Sequence, residues 1–465
     1  MTTNYLRKSF VISLLLFVAI GVAATVTVSA QTKKDIKKSN ELVADGNKEF
    51  AKKNYRGAVD SYGKAVTINP KNATAHFWKG YAHYYLKETD QALSELDLAF
   101  TQGHSPVEIY KVRWYLNYDK KNYDAALSDV SAGLKVEPNN QMLLRALGDI
   151  NYEKGNMREA LQAYDAVTKL SPNDGEVYFR IAKAQQSLGN TEAQAAAATE
   201  AIAKRTQFLA EANAMLGDAY QKQRKFPEAA AAYRSAIDAK PDVYANYRNL
   251  SEIYRSENKF DEAIDVSKRG LRQFPLDGNI YTDLSWYYSL SGRHEEAVQA
   301  AQAGIKLLPN RYMAYTSLCR AFNDLKKPEL AITECNKALK LNPNDGETYF
   351  YLARAFDLSG KTAEATRNYD KAVAGLIEFT KSNPDNSDGF YLLGNAYFAD
   401  SQREKAVEAY RKCLQLNPNF VKARYNMGII QVLQKNKSGA IEQYNSLLTL
   451  DRALAGKLKV EIDKL

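Results

Sequence analysis

The sequence predicts an all-α protein built as a linear array of antiparallel helix pairs, and three observations support this prediction. From Ser39 onward the chain repeats itself with a period of 34 residues, one position of each repeat is nearly always alanine, and another is usually proline. With 465 residues the chain is too long for one ordinary core, so several domains or a repeat array are expected. A fixed period of this length is typical of repeat proteins, so the sequence predicts a repeat array and not several separate domains.

Each repeat is predicted to contain two helices, when its positions are numbered from 1 to 34. Apolar residues at positions 4, 7 and 11 share one face of a first helix, and those at 20, 24 and 27 share one face of a second. Glycine or asparagine near position 15, as at Gly155 and Asn258, separates the helices, and proline at 32, as at Pro241, ends the second. Small residues at 8 and 20 allow close approach, and a tyrosine at 24, such as Tyr410, fills the space beside them. Much of the excess of 31 tyrosines is therefore predicted to be core.

Composition and charge exclude several other classes of protein. The 45% hydrophobic and 25% charged residues are typical of folded chains, which excludes wholesale disorder. Three cysteines are too few for a disulfide scaffold or a multi-cysteine metal module. The net charge of +9 is dispersed along the chain, whereas nucleic-acid binding requires a concentrated basic stripe, so no nucleic-acid partner is expected.

Residues 1–30 have the pattern of an export signal. Arg7 and Lys8 precede an apolar stretch, Phe10–Ala24, and small residues end the segment at Ala30. We expect cleavage near Ala30 and a periplasmic or secreted mature protein if the source is bacterial. The alternative is an uncleaved membrane anchor, because the uncharged stretch is long enough to span a bilayer. The protein would contact a membrane only in that second case.

The repeats divide the rest of the chain into predicted blocks. The expected order is a short basic linker at 31–38, repeats one to five at 39–208, repeats six to ten at 210–386, repeats eleven and twelve at 387–454, and a capping helix at 455–465.

Three repeats depart from the pattern. Trp114 occupies a small-residue position in the third, the fifth lacks its proline, and the tenth carries extra residues before Pro384, which predicts a longer second helix. Irregular joints are therefore expected near 107–120, 204–210 and 373–387. They are candidate hinges or partner footprints, although simple sequence drift also explains them.

The pattern resembles the tetratricopeptide repeat. The resemblance is clearest where Leu216-Gly217 leads to Ala229, and where Leu393-Gly394 leads to Ala406 and Pro418, and it covers 39–454. The family implies a right-handed superhelical solenoid of antiparallel helix pairs, whose first helices line a concave groove that binds protein segments.

The family's groove-facing positions, transferred residue by residue, give the candidate partner-binding residues. Aromatic residues dominate the N-terminal part of this set and arginines its middle, which favours recognition of extended or helical segments carrying carboxylates. The alternative is an ordinary solvated helix surface on which acids and bases pair. The candidates are Tyr81, Tyr84, Lys111, Tyr115, Tyr118, Arg145, Tyr152, Phe179, Lys183, Arg248, Arg255, Trp286, Arg320, Phe350, Arg354, Tyr391 and Asn395.

The family's lysine, asparagine and arginine clamp for a C-terminal carboxylate is not found in the sequence. Its nearest approach is Asn395 with Lys422 and Asn426 in the next repeat, but Tyr391 replaces the required lysine.

Cysteine and histidine positions predict structural roles. Cys319 and Cys335 occupy facing positions 8 and 24 of one repeat, so they are expected to form a disulfide or to pack as free thiols. His76 and His83 occupy packing positions, so no metal site is expected. No catalytic or cofactor-binding motif occurs, and neither an enzyme nor a cofactor is predicted.

The leading hypothesis from the sequence is a non-enzymatic scaffold of the cell envelope that binds protein segments in its groove. One alternative is a carbohydrate-binding component of polysaccharide export, in which tyrosines stack on sugar rings and arginines meet uronate carboxylates. Another is a self-associating structural array. The sequence leaves the oligomeric state open.

Overall fold

The computed structural model describes residues 32–465, and the segment predicted to be an export signal lies outside them. The described residues contain 25 α-helices and no strand, as the repeat pattern predicts. No helix among these residues is both long enough and apolar enough to cross a membrane.

The chain forms two compact units, which divide between Pro172 and Asn173, whereas the sequence grouping ended its first block of repeats at residue 208. Unit 1 contains α1 (Lys33–Ala51), α2 (Tyr55–Ile68), α3 (Ala73–Tyr85), α4 (Thr89–Thr101), α5 (Pro106–Asp119), α6 (Tyr123–Val136), α7 (Gln141–Glu153) and α8 (Met157–Leu170).

Unit 2 contains the remaining helices in the same alternating order. They are α9 (Gly175–Ser187), α10 (Thr191–Ala203), α11 (Leu209–Lys222), α12 (Phe226–Ala239), α13 (Tyr244–Ser256), α14 (Phe260–Gln273), α15 (Gly278–Leu290), α16 (His294–Leu307), α17 (Tyr312–Asp324), α18 (Pro328–Leu341), α19 (Gly346–Leu358), α20 (Thr362–Ser382), α21 (Ser387–Ala399), α22 (Arg403–Leu416), α23 (Val421–Leu433), α24 (Lys437–Leu450) and α25 (Arg452–Ile462).

The core lies between the two helices of each pair, where small residues face tyrosines. In α21 and α22, Gly394 and Ala406 are buried, and the ring of Tyr410 fills the space that the glycine leaves. The Tyr410 hydroxyl donates a hydrogen bond to Oδ1 of Asn395 at 2.7 Å, which satisfies its polar end. Gly46 with Tyr62 and Gly148 with Tyr164 make the same contact in unit 1.

A residue with positive φ joins the two helices of each pair, always at position 15. Gly155, Gly189, Gly292 and Gly360 serve in four repeats, and Asn258 in a fifth, as the sequence predicts. The remaining repeats use residues that rarely adopt this conformation: Lys53, Lys87, Lys121, Arg224, Lys326, Ser401 and Lys435. The turn is therefore imposed by packing of the helix pair and not by local preference alone.

The structure places the two ends of the array differently from the predicted boundaries. Residues 33–38 are not a linker but the first turns of α1, because Thr32 caps this helix by accepting a hydrogen bond from the Asp35 amide at 3.1 Å. The expected long helix of the tenth repeat is confirmed as α20, which has 21 residues. The last helix, α25, begins at Arg452 and not at residue 455 as predicted for the capping helix, and it buries Leu458 and Ile462.

Candidate functional site

Unit 2 closes on itself through hydrogen bonds between residues 133 to 191 positions apart in the chain. These bonds, here called the closing contacts, join the C-terminal ends of α11 and α13 to helices α21 and α22 and to the loop before α23. The closing contacts are Arg255 Nη1 to Asp388 Oδ1 at 3.0 Å, Asn258 Nδ2 to the Asn419 carbonyl at 3.0 Å, Asn417 Nδ2 to the Ser256 carbonyl at 3.5 Å, and Arg224 Nη2 to the Gln415 carbonyl at 2.8 Å.

Arg255 is the central residue of the closing contacts. Besides Asp388, it donates to Glu252 Oε2 at 2.8 Å, and its guanidinium lies 4.4 Å from the ring centroid of Trp286. Burial lowers the pKa of Arg255, but the carboxylates of Asp388 and Glu252 outweigh this effect and raise it, so the side chain stays charged. Arg255, which was predicted to bind a partner, therefore makes its contacts within unit 2 and stabilises its closed form.

The closed part of unit 2 surrounds a cavity of about 420 Å³, here called the unit 2 cavity. This volume lies in the range of ligand pockets. Six of the predicted partner-binding residues line it: Trp286, Arg320, Phe350, Arg354, Tyr391 and Asn395. The structure thus brings together the middle and C-terminal part of the predicted set, from first helices of four different repeats.

Three cations reach the unit 2 cavity from different helices. Arg320 on α17 is only 7% exposed, and its Nε and Nη2 atoms are buried without a hydrogen-bond partner among the described residues. Arg354 on α19 approaches Asp324 only to 3.9 Å, which is too far for a hydrogen bond. Burial lowers the pKa of Lys422 on α23, and the charges of Arg320 and Arg354 lower it further, partly offset by Asp324.

Acidic groups also line the unit 2 cavity, but they do not neutralise these cations fully. Asp388 is paired with Arg255, as described above. Burial raises the pKa of Glu347 to about 7, since Asp345 and Asp388 add to the effect of burial while Arg320, 3.8 Å away, only partly opposes it. The Glu347 side chain is 36% exposed and lines the cavity.

Several lining residues were not among the sequence candidates. Lys422 and Asn426 appeared there only in the search for a carboxylate clamp, although Lys422 occupies a groove-facing position of the last repeat. Phe420 precedes α23, and Tyr351 lies at position 6, which is not one of the packing positions of the repeat, so the repeat pattern contained no signal for either. Both line the cavity because unit 2 closes on itself.

In unit 1 the predicted aromatic residues form a separate surface, here called the unit 1 aromatic cluster. Its members are Phe50, Tyr55, Trp78, Tyr81, Tyr84, Tyr85 and Tyr115. The rings of Tyr55 and Tyr85 stack at 4.7 Å, and Tyr84 meets Tyr115 edge to face at 5.7 Å. Tyr85 and Tyr115 remain 42% and 43% exposed, so part of the cluster faces solvent.

The other candidates are neither among the residues that line the unit 2 cavity nor members of the unit 1 aromatic cluster. Lys111 pairs with Glu137 at 2.9 Å, and Arg248 lines a much smaller space of about 10 Å³ beside Asp283. Phe179 was predicted to bind a partner, but it is 9% exposed and stacks on Phe208 at 4.7 Å, so it belongs to the core. The last four candidates are half-buried. Tyr118 lies on α5, Arg145 and Tyr152 lie on α7, and Lys183 lies on α9.

Cys319 and Cys335 are joined as a disulfide between α17 and α18, with a Cα–Cα distance of 5.3 Å. The bond lies one residue before Arg320 and ties its helix to the next. Its redox state in the cell stays a prediction. Among residues 32–465, no three His, Cys, Asp or Glu side chains are arranged to hold a metal ion.

Comparison with known proteins identifies the repeat type. Family models described as "TPR repeat" or "Tetratricopeptide repeat" match residues 46–86, 148–189, 214–278, 314–345, 334–367 and 387–420. A curated relative, small glutamine-rich tetratricopeptide repeat-containing protein 2 of Saccharomyces cerevisiae, is 36% identical over 64 residues, which is 14% of this chain and 18% of that protein.

Solved structures of low identity are also similar. A tetratricopeptide repeat protein from Parabacteroides merdae is 17% identical, with 55% of this chain and 98% of that one covered and a TM-score of 0.46. Yeast Tom70 is 15% identical, with 91% and 94% covered and a TM-score of 0.41. The Cut9 and Hcn1 hetero-tetramer of APC/C is 14% identical, with 90% of this chain and 96% of that one covered and a TM-score of 0.39.

The repeated helix pairs, their small and aromatic packing positions and the matches of the family models along the chain agree with one another. The protein belongs to the tetratricopeptide repeat family.

Proposed function

We propose that this protein is a non-enzymatic scaffold of the cell envelope that binds extended or helical protein segments carrying carboxylates. Tetratricopeptide repeat proteins are generally protein-interaction scaffolds. For this chain the proposal depends on one observation, the unit 2 cavity, whose walls combine aromatic rings with the cations Arg320, Arg354 and Lys422. Aromatic and arginine side chains contribute most of the binding energy at protein interfaces.

The closing contacts determine how the cavity binds a partner. They fix the cavity before a partner arrives, so the ordering cost of binding falls mainly on a flexible partner segment. A volume of about 420 Å³ accommodates a few side chains and not a whole helix. The partner is therefore anchored by a short part of its chain.

The experiment is capture of envelope proteins by the purified full-length mature protein and by Arg354→Glu/Lys422→Glu. The matched control is Arg403→Glu, at an exposed position at the start of α22 outside the cavity. Proteins captured by the wild type and the control but lost by the cavity variant support the proposal. Identical capture by all three baits, with equal helical content by circular dichroism, refutes it.

The envelope location is part of the same proposal. It is supported by the pattern of residues 1–30. N-terminal sequencing of the protein recovered from cell fractions tests it, with Gln31 expected as the first residue. An intact N-terminus in the membrane fraction supports the anchored alternative, and an intact N-terminus in the cytoplasm refutes export.

A second candidate, binding of polysaccharide, is favoured by the unit 1 aromatic cluster. Exposed rings such as Tyr85 and Tyr115 offer flat apolar faces suited to sugar rings. Glycan binding that is lost in Tyr85→Ala/Tyr115→Ala, but retained in Arg354→Glu/Lys422→Glu, would establish this function for unit 1. Mass measured by light scattering at several protein concentrations tests the self-associating array.

A further inference from the structure

We propose that the unit 2 cavity contains a site for a single carboxylate, held by Arg320, Arg354 and Lys422, whose attached apolar group packs on Phe398 and Phe420. This inference rests on the proposed function and names the part of the partner that the cavity recognises.

The unsatisfied state of Arg320 is the first argument for this site. Its side chain is almost fully buried, lies within 6 Å of the ring centroids of Trp286 and Tyr351, and has two nitrogen atoms that meet no acceptor. The nearest carboxylate oxygen, on Glu347, lies 3.8 Å from Nη1. Burying a charged group without hydrogen-bond partners is costly. A carboxylate entering the cavity, which Arg320 lines, supplies the negative charge that its guanidinium lacks.

The second argument is the convergence of the other two cations. Lys422 has no ion pair within 4.0 Å among the described residues, and its side chain is half-buried in the cavity wall. Arg354 keeps 39% of its side chain exposed and only a loose contact with Asp324. The three cations come from α17, α19 and α23, so they repel one another until an anion is bound.

The acids of the cavity limit the charge of the ligand. Asp324, Glu347 and Asp388 line the same space, and they would repel a dianionic phosphate more strongly than a monovalent carboxylate. The remaining walls are mostly aromatic, with Asn395 and Asn426 as amide donors and acceptors. The geometry therefore suits a carboxylate joined to an apolar group.

Two parts of a protein chain offer this chemistry. One is the free C-terminal carboxylate of a segment that ends in an apolar residue, and the other is a glutamate or aspartate side chain beside an apolar residue. Both place one carboxylate among the cations and one apolar group against the rings. Short synthetic peptides separate the two sources.

The test is isothermal titration of the full mature protein with three acetylated peptides. The first is Ala-Leu-Phe with a free C-terminal carboxyl, the second is its C-terminal amide, and the third is amidated Ala-Glu-Phe. One added charge-assisted contact is worth about tenfold in affinity. We expect the first, the third or both to bind at least about tenfold more tightly than the second, and the tighter one identifies the source.

Variants locate the binding in the cavity. Arg354→Gln and Lys422→Met should each weaken the carboxylate peptide about tenfold, while Arg403→Gln, the same substitution on an exposed helix start, should leave it within about twofold. Neither cavity variant removes a hydrogen bond within the protein, so both should fold. Equal affinity for acid and amide peptides, or equal weakening by Arg403→Gln, overturns the site.

Inorganic phosphate is the competing probe. Stronger displacement of the peptide by phosphate than by acetate at equal concentration overturns the choice of a carboxylate. These titrations use small peptides alone, so they can fail while envelope proteins are still captured through the cavity, and they can succeed while no protein partner is found. The two proposals therefore fail separately.

Discussion

The close approach of the two helices in a pair depends on the missing side chain at position 8, and Gly394→Ala tests this most sharply. A β-carbon at Gly394 would lie 2.5 Å from Cε1 of Tyr410, which is fully buried. Two carbon atoms in contact need about 3.5–4.0 Å, so the helices must part or the ring must move by about 1 Å.

The magnitude follows from two opposed effects. Overpacking of this kind costs about 1–3 kcal/mol. Replacing glycine by alanine within a helix stabilises the helix by about 0.5–1 kcal/mol, which partly offsets this cost. Movement of the ring also strains the 2.7 Å hydrogen bond from Tyr410 to Asn395. We expect a net loss of about 1–2 kcal/mol in the stability of α21 and α22.

The tenth repeat has a natural alanine at position 8. Where Ala353 replaces the glycine, the facing Tyr369 is 6% exposed, and its hydroxyl donates to Asp357 at 2.7 Å. Asp357 stands at position 12, whereas Asn395, the partner of Tyr410, stands at position 9. Tyr233, which faces Gly217, also donates to position 12, at Gln221 Oε1 (3.3 Å), so the hydrogen-bond partner alone does not report the missing glycine.

Hydrogen exchange measured by mass spectrometry is the suitable assay, because repeat arrays unfold locally and a single melting curve averages the repeats. The matched control is Gly456→Ala in α25, where a β-carbon meets nothing within 4 Å. The control should gain about 0.5–1 kcal/mol. If Gly394→Ala protects α21 and α22 as the control protects α25, position 8 is not constrained by packing, and the reasoning is wrong.

Four further predictions concern charge, backbone and redox state. Affinity for the carboxylate peptide should fall between about pH 6 and pH 8, because Glu347 ionises near pH 7 inside a cavity that receives an anion, and titrations of Glu347→Gln should show no such fall. The pKa of Glu347 is raised in the folded state, so its ionisation also lowers folding stability as pH rises from about 4.5 to about 7, and Glu347→Gln should remove that loss in denaturant titrations. Lys121→Gly should slow hydrogen exchange in unit 1 by stabilising the turn by about 1 kcal/mol, and Gly155→Ala, at the same position of the next repeat, should do the reverse. Replacing Cys319 and Cys335 by alanine should cost up to about 3 kcal/mol in protein isolated from the envelope, as judged by exchange in α17 and α18, whereas equal protection in both proteins would mean that the thiols are free.

The sequence predicted the parts of the fold that depend on contacts within one repeat. The positions of Gly394, Ala406 and Tyr410 specify a helix pair because each residue meets a neighbour on the adjacent helix. The long α20 followed from the extra residues of its repeat. The start of α1 was missed, because the Thr32 cap lies outside the repeat pattern and the following lysines resemble a linker.

The candidate site was predicted only in part. First-helix positions gave Arg320, Arg354 and Tyr391, since the repeat fixes which face of each helix is concave. The closing contacts, such as Arg255 with Asp388, depend on the small rotation that each repeat adds to the last. Such rotations accumulate over many repeats and leave no periodic signal in the sequence.

The central claim is that protein partners enter the unit 2 cavity. Site-specific photo-crosslinking in living cells tests it most directly, with a benzophenone side chain at Phe398, which lines the cavity, and a control at Phe379 on α20, which is exposed outside it. The account predicts a distinct crosslinked protein from position 398 that is absent from position 379 and lost in Arg354→Glu/Lys422→Glu. The same products from both positions, or a partner captured only from 379, would contradict it.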